Sequence, residues 1–208
     1  MKPRKEEPGE EVVESGQLTI ETLRRFQEIM DRGKETVASA GYPASPFGKR
    51  MQAIARVIRA DAGLEVAAVD YDGWDHHVQE GGLDGRQAAM LSDLAASLAA
   101  FARDLQDRMD DVLVLTMTEF GRTVRENGNR GTDHGRGGGM FLIGGGVQGG
   151  KVHGAWRGLS DNVLVEGRDL PVTTDFRDVF AACLRRQFDF KAPKDFFPGY
   201  RPKSLRLF

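Results

Sequence analysis

The chain has 208 residues, 40% hydrophobic and 29% charged, and its 29 basic residues against 31 acidic ones leave a formal net charge of -2. That composition describes a globular domain and excludes disordered, collagenous and coiled-coil chains. It also excludes a dedicated nucleic-acid binder, whose phosphate contacts need a basic excess. No apolar run approaches the roughly 20 residues of a membrane span, and the start MKPRKEEPGEEVVESG carries charge where a signal peptide needs an apolar core.

The first fifteen residues are polar and contain Pro3 and Pro8, which predicts a disordered tail, with a single α/β domain from residue 16 to 208. From Leu18 to about Ala38 the apolar residues recur at three- and four-residue steps, predicting an amphipathic helix that ends before Gly41 and Pro43. Ser45 followed by Pro46 reads as an N-cap with proline at the first helical position, opening a helix through Met51, Ile54, Val57 and Ile58 that closes at Gly63. Leu64 to Tyr71 is valine- and alanine-rich and predicts a buried strand. Leu83 to Leu105 returns to helical spacing, and Asp111 to Met117 is a second apolar run, so strand, helix and strand follow in the order of a parallel crossover unit. Met140 to Ile143 is expected as the next strand and Thr174 to Phe188 as a final helix. The single cysteine, Cys183, falls on the inner face of that helix and reads as an inert buried thiol.

Glycine makes up 26 residues, about 12% against a usual ~7%, and it clusters after each expected strand. In a parallel sheet those are the loops where open α/β folds place ligands. All four histidines, His76, His77, His134 and His153, fall in or beside them. The first loop sets Asp70, Asp72 and Asp75 beside His76 and His77. The second passes through Glu119 and Arg122 and reaches Asp133, His134 and Arg136.

Carboxylate oxygen and imidazole nitrogen are the donors used for zinc, iron or manganese. A metal site, ordinary polar loops and a metal-free acid/base site all fit this set. Arg122 and Arg136 fit either an anionic substrate or neutralisation of Glu119 and Asp133. His153 reads as a surface residue and Trp74 as loop packing. The glycine run from Gly144 to Gly150 reads as a tight turn, since it lacks the lysine and hydroxyl residue of a phosphate-binding loop.

At these residues the chain resembles a known bacterial family, the domain-of-unknown-function family 1501 (DUF1501), a branch of the alkaline-phosphatase-like superfamily. The resemblance is carried by GWDHH at Gly73 to His77, TEFGRT at Thr118 to Thr123 and the stretch from Glu126 to Gly135. The GGGVQGGKV turn and GRDLPVTTDFR at Gly167 to Arg177 extend it. It implies a mainly parallel sheet flanked by helices, and a chain that corresponds to the C-terminal half of a usual member. The superfamily contains alkaline phosphatases, sulfatases, phosphopentomutases and cofactor-independent phosphoglycerate mutases. By that likeness Asp75 and His77 correspond to the earlier metal ligands, with Asp72 and His76 as the alternative pair at the superfamily's usual spacing. Glu119 and His134 correspond to the later ligands, Asp133 is a further candidate, and Phe120 stands where a paired histidine is usual.

The implied chemistry is metal-dependent hydrolysis of a phosphate or sulfate ester, with zinc, iron or manganese as cofactor and a small anionic ester as substrate. The nucleophile and first metal ligand of the superfamily belong to an N-terminal half, so the chain alone is expected to be inactive. The alternative is a non-catalytic binding or assembly protein that keeps the fold. Relatives resemble exported proteins, and an apolar sheet edge left without its neighbour favours self-association. Imidazole binds metal only when neutral, so metal occupancy should fall as pH drops through about 6. Retention of metal at pH 4 in an equilibrium dialysis series contradicts His77 and His134 as ligands.

Overall fold

The computed structural model describes residues 8–32 and 40–208. Two compact units are distinguished, Met1–Tyr71 with Ser92–Leu105, and Asp72–Leu91 with Gln106–Phe208.

In the first unit, helix α1 spans Pro8–Arg32. It begins ahead of the expected start at Gly16. Proline breaks a helix interior but suits the first turn, where its missing N–H has no helical partner to lose. The expected tail is thus helical from residue 8, while residues 1–7 and the end of the expected helix, 33–38, lie outside the described residues. Helix α2 spans Pro46–Arg59 and starts as the Ser45-Pro46 pair dictates, the Gly48 N–H donating to Ser45 Oγ at 3.0 Å. Phe47, Met51 and Ala55 of α2 are buried, as are Leu98, Ala100, Phe101 and Leu105 of helix α3, Arg86–Leu105. α3 is shared, its residues from Ser92 onward belonging to this unit. Its buried Asp104 accepts from Arg59 Nε at 2.8 Å and from the Tyr42 hydroxyl at 2.9 Å, which keeps a carboxylate tolerable inside the unit.

The segment Leu64 to Tyr71 is not the buried strand its composition suggested. It belongs to no strand and most of it is exposed, Val66 by 74%. An apolar run becomes a strand only when a neighbour takes up its backbone N–H and C=O groups, and among the described residues no neighbouring strand does so.

The second unit holds the short strands β1 (Leu113–Leu115), β2 (Gly121–Arg122), β3 (His134–Gly135) and β4 (Leu142–Gly144), then helix α4 (Phe176–Phe188). β1 pairs with β4 and β2 with β3, both antiparallel, giving two two-stranded sheets. The parallel, alkaline-phosphatase-like sheet expected from the crossover pattern is therefore replaced, among the described residues, by antiparallel ribbons. The chain leaving β1 doubles back through β2 and β3, and β4 returns alongside β1 in the opposite direction, Leu113 facing Gly144 and Leu115 facing Leu142. Mixed helix and strand content holds, whereas strand direction differs from expectation.

The Gly144 to Gly150 run is a tight turn, with Gly145 N–H donating to Met109 O and Val147 N–H to Gly144 O, each at 3.0 Å. Cys183 is buried in α4, where burial pushes its thiol up to about 11. None of the described helices is long and apolar enough to cross a membrane.

Helix α4 opens at Asp175, whose carboxylate accepts from the Arg177 backbone N–H at 2.9 Å and from Arg177 Nε at 2.8 Å. These bonds hold the Asp175 carboxyl down at about 2. A depressed folded-state pKa means that the stabilisation is present above the unfolded value of about 4 and is lost as pH falls toward 2. Asp175→Ala should cost roughly 1 kcal/mol at pH 7, and urea unfolding of both proteins should show that difference shrinking by pH 2.5.

Candidate metal centre

The site is assembled in the second unit by two segments distant in sequence. Residues 76–80 lie along residues 129–132. Thr132 N–H donates to His76 O at 3.1 Å, Gln79 N–H to Asn129 O at 3.0 Å and Glu80 N–H to Arg130 O at 2.8 Å. A close approach permits this: a Cβ on Gly131 would collide with the carbonyl of His77, so only glycine fits. On the other side, the β2–β3 ladder sets Arg122 opposite His134. A side chain at Gly121 would strike the Gly137 carbonyl, so that ribbon also depends on a bare backbone.

Three donor atoms converge as a result. His77 Nε2 lies 2.9 Å from Asp75 Oδ1, His134 Nε2 lies 3.0 Å from the same oxygen, and the two Nε2 atoms are 3.1 Å apart. Among the described residues these three form the group of imidazole and carboxylate donors able to share one ion. The triangle tests the fit directly. Donors about 2.1 Å from a common ion are about 3.0 Å apart at right angles and about 3.4 Å apart at tetrahedral angles. The observed edges match adjacent positions of an octahedron. The side chains are 42% (His77), 53% (Asp75) and 51% (His134) exposed, so the group lies at the surface.

Each donor is held from behind. His77 Nδ1 lies 3.2 Å from Asp133 Oδ1; an ionised carboxylate only accepts, so a proton on Nδ1 would satisfy this bond and leave Nε2 its lone pair. The His134 ring stacks on Phe120 with centroids 3.9 Å apart and planes 14° from parallel. Phe120 thus supports the His134 ring from one face. Asp75 accepts from Arg122 Nη1 at 2.6 Å. Arg122 is itself anchored through Nε to Thr132 Oγ1 at 2.8 Å and through Nη2 to the Thr132 carbonyl, and Thr132 Oγ1 donates to Glu80 Oε2 at 2.7 Å.

Arg122, then the His134 and His77 imidazoles, hold the Asp75 carboxyl below the usual carboxylate range. Asn127 and then His77 do the same for Asp133. Both acids therefore stay ionised across the neutral range.

The structure thus brings together Asp75, His77 and His134, with Asp133 behind His77 and Arg122 behind Asp75. It does not bring in Glu119, which is exposed and outside the converging group. Arg136 turns to Glu166 at 3.3 Å and to buried Asp169 at 3.7 Å, away from the carboxylates considered for it. The alternative pair separates: Asp72 is exposed, whereas His76 is buried with Nδ1 3.1 Å from Gln87 Oε1. His153 is exposed, as expected. Asn127, Thr132 and Glu80 were missed, although the Asn-Gly pair at 127–128 marks a turn whose side chain has bonds to make.

A family model described as a protein of unknown function, DUF1501, matches residues 6–195. No curated protein and no solved structure matches the chain. The close approach at Gly131 yields a direct test of the geometry. Gly131→Ala should destabilise the second unit by about 1–3 kcal/mol through overpacking, seen as a lowered unfolding midpoint, and an unchanged midpoint contradicts the close approach.

Proposed function

The chain belongs to the DUF1501 family, and on that footing we propose that Asp75, His77 and His134 hold one divalent metal ion serving the hydrolysis of a phosphate or sulfate ester. The single observation that carries this reading is the triangle of 2.9, 3.0 and 3.1 Å between their donor atoms. Iron and manganese suit the octahedral spacing, and zinc needs the triangle to open by a few tenths of an ångström. When bound, the ion supplies Lewis acidity toward a phosphoryl or sulfuryl oxygen.

The chain's own residues supply the rest. Asp133 keeps the proton of His77 on Nδ1, and Phe120 fixes the plane of His134. Among the described residues Arg122 commits three of its five N–H donors, to Asp75 and Thr132; the two remaining would hold an anionic ester beside Asp75. Arg136, already paired with Glu166 and Asp169, is the weaker candidate for that task. The alkaline-phosphatase-like class suits this donor set.

A second reading is a binding or assembly protein that keeps the metal without turnover. It is favoured because no serine or threonine hydroxyl among the described residues hydrogen-bonds to Asp75, His77 or His134. For the same reason the chain alone should bind metal yet hydrolyse esters no faster than its His134→Ala variant.

Elemental analysis of protein purified without chelator or affinity metal tests the site. About one zinc, iron or manganese per chain is expected, lost in folded His77→Ala and His134→Ala variants and kept in Glu119→Ala. Absence of metal in the parent chain, or its retention in His134→Ala, contradicts the assignment.

A further inference from the structure

His77 has a carboxylate at each end of its ring, Asp133 Oδ1 3.2 Å from Nδ1 and Asp75 Oδ1 2.9 Å from Nε2. A neutral imidazole carries one proton, so the two acids compete for it. Metal binding through Nε2 requires that Asp133 win.

What holds Asp133 in place is Asn127. Its Nδ2 donates to Asp133 Oδ1 at 2.9 Å and to the His77 carbonyl at 3.0 Å, while its Oδ1 accepts the N–H groups of Asn129 at 2.9 Å and Gly131 at 3.1 Å. Both amide protons and both lone-pair directions are used. The amide therefore has one workable orientation, because flipping it would set oxygen against two acceptors and nitrogen against two donors. One side chain thereby ties the Gly131 turn, the backbone of His77 and the acid behind the His77 ring into a single rigid unit.

We propose that Asn127 is a positioning residue which, by holding Asp133 on His77 Nδ1, keeps His77 Nε2 as the lone-pair nitrogen of the donor triangle. The inference rests on the metal reading for its consequence, a lower affinity when Asn127 is changed. Its immediate effect, the tautomer of His77, is readable without any metal.

Asn127→Asp is the informative variant. It is nearly isosteric and keeps an oxygen for the N–H groups of Asn129 and Gly131, so the turn retains its acceptor. It replaces both donated bonds by an oxygen facing the His77 carbonyl and the Asp133 carboxylate. Asp133→Ala removes the same support without touching the turn, and serves if Asn127→Asp does not fold.

The experiment has two readouts on the full chain. Long-range proton–nitrogen NMR at pH 9, with His77 assigned by its absence in His77→Ala, reports which ring nitrogen carries the proton. Titration with cobalt(II), followed by its visible absorption, reports affinity. The parent chain should show His77 mainly as the Nδ1–H form. Both variants should shift it toward Nε2–H and bind cobalt about 10–100-fold more weakly. The double variant should bind no more weakly than Asp133→Ala alone.

An Asn127→Asp protein with the parent's tautomer and affinity overturns the proposal and leaves the metal site standing. Additive losses in the double variant overturn it too, since Asn127 would then act by a route other than Asp133. A parent chain that binds no cobalt overturns the metal reading, and the tautomer shift still decides whether Asn127 positions His77.

Discussion

The backbone of Gly131 lies against the carbonyl of His77, closer than any side chain would allow, and the rest of the site depends on that approach. It lets residues 129–132 run beside residues 76–80 with paired backbone groups, each bond contributing about 0.5–1.5 kcal/mol net. Two loops from distant parts of the chain thereby become one surface. Without it, His77 would lose the backbone pairing that sets it beside His134, and the ordering cost of bringing them together would fall on the ligand.

On that surface the charges are arranged so that every donor has one free direction. Asp75 is drawn toward Arg122, His77 is tethered through Asp133, and His134 is pinned by the Phe120 ring. The result is a triangle whose edges are close to those of one octahedral face. Carboxylates held ionised by a guanidinium and an amide, as Asp75 and Asp133 are, suit cation capture better than proton exchange at neutral pH.

Much of this was legible in the sequence, for local reasons. Ser45-Pro46 marked the start of α2 because capping is a short-range interaction, and the periodicity through Phe176 to Phe188 marked α4. Pro8 misled because proline means a break or a beginning according to position. The segment Leu64 to Tyr71 misled because an apolar run records the wish to be buried and says nothing about a partner strand. Strand direction was equally hidden: β1 and β4 were located nearly in place, but their antiparallel pairing is decided by contacts between residues as far apart as Leu113 and Gly144.

At the site, Asp75, His77 and His134 stood out by type and by family resemblance, as did Asp133 and Arg122. The separation of His76 from the converging donors follows from its burial beside Gln87, which no spacing rule contains. Asn127 escaped because its importance lies in four bonds to residues brought near by folding. The most direct measurement of the central claim is anomalous X-ray diffraction from crystals grown with manganese(II). One peak about 2.1 Å from Asp75 Oδ1, His77 Nε2 and His134 Nε2 together is predicted. A peak on Glu119 instead, or none within reach of the two imidazoles, would contradict the account.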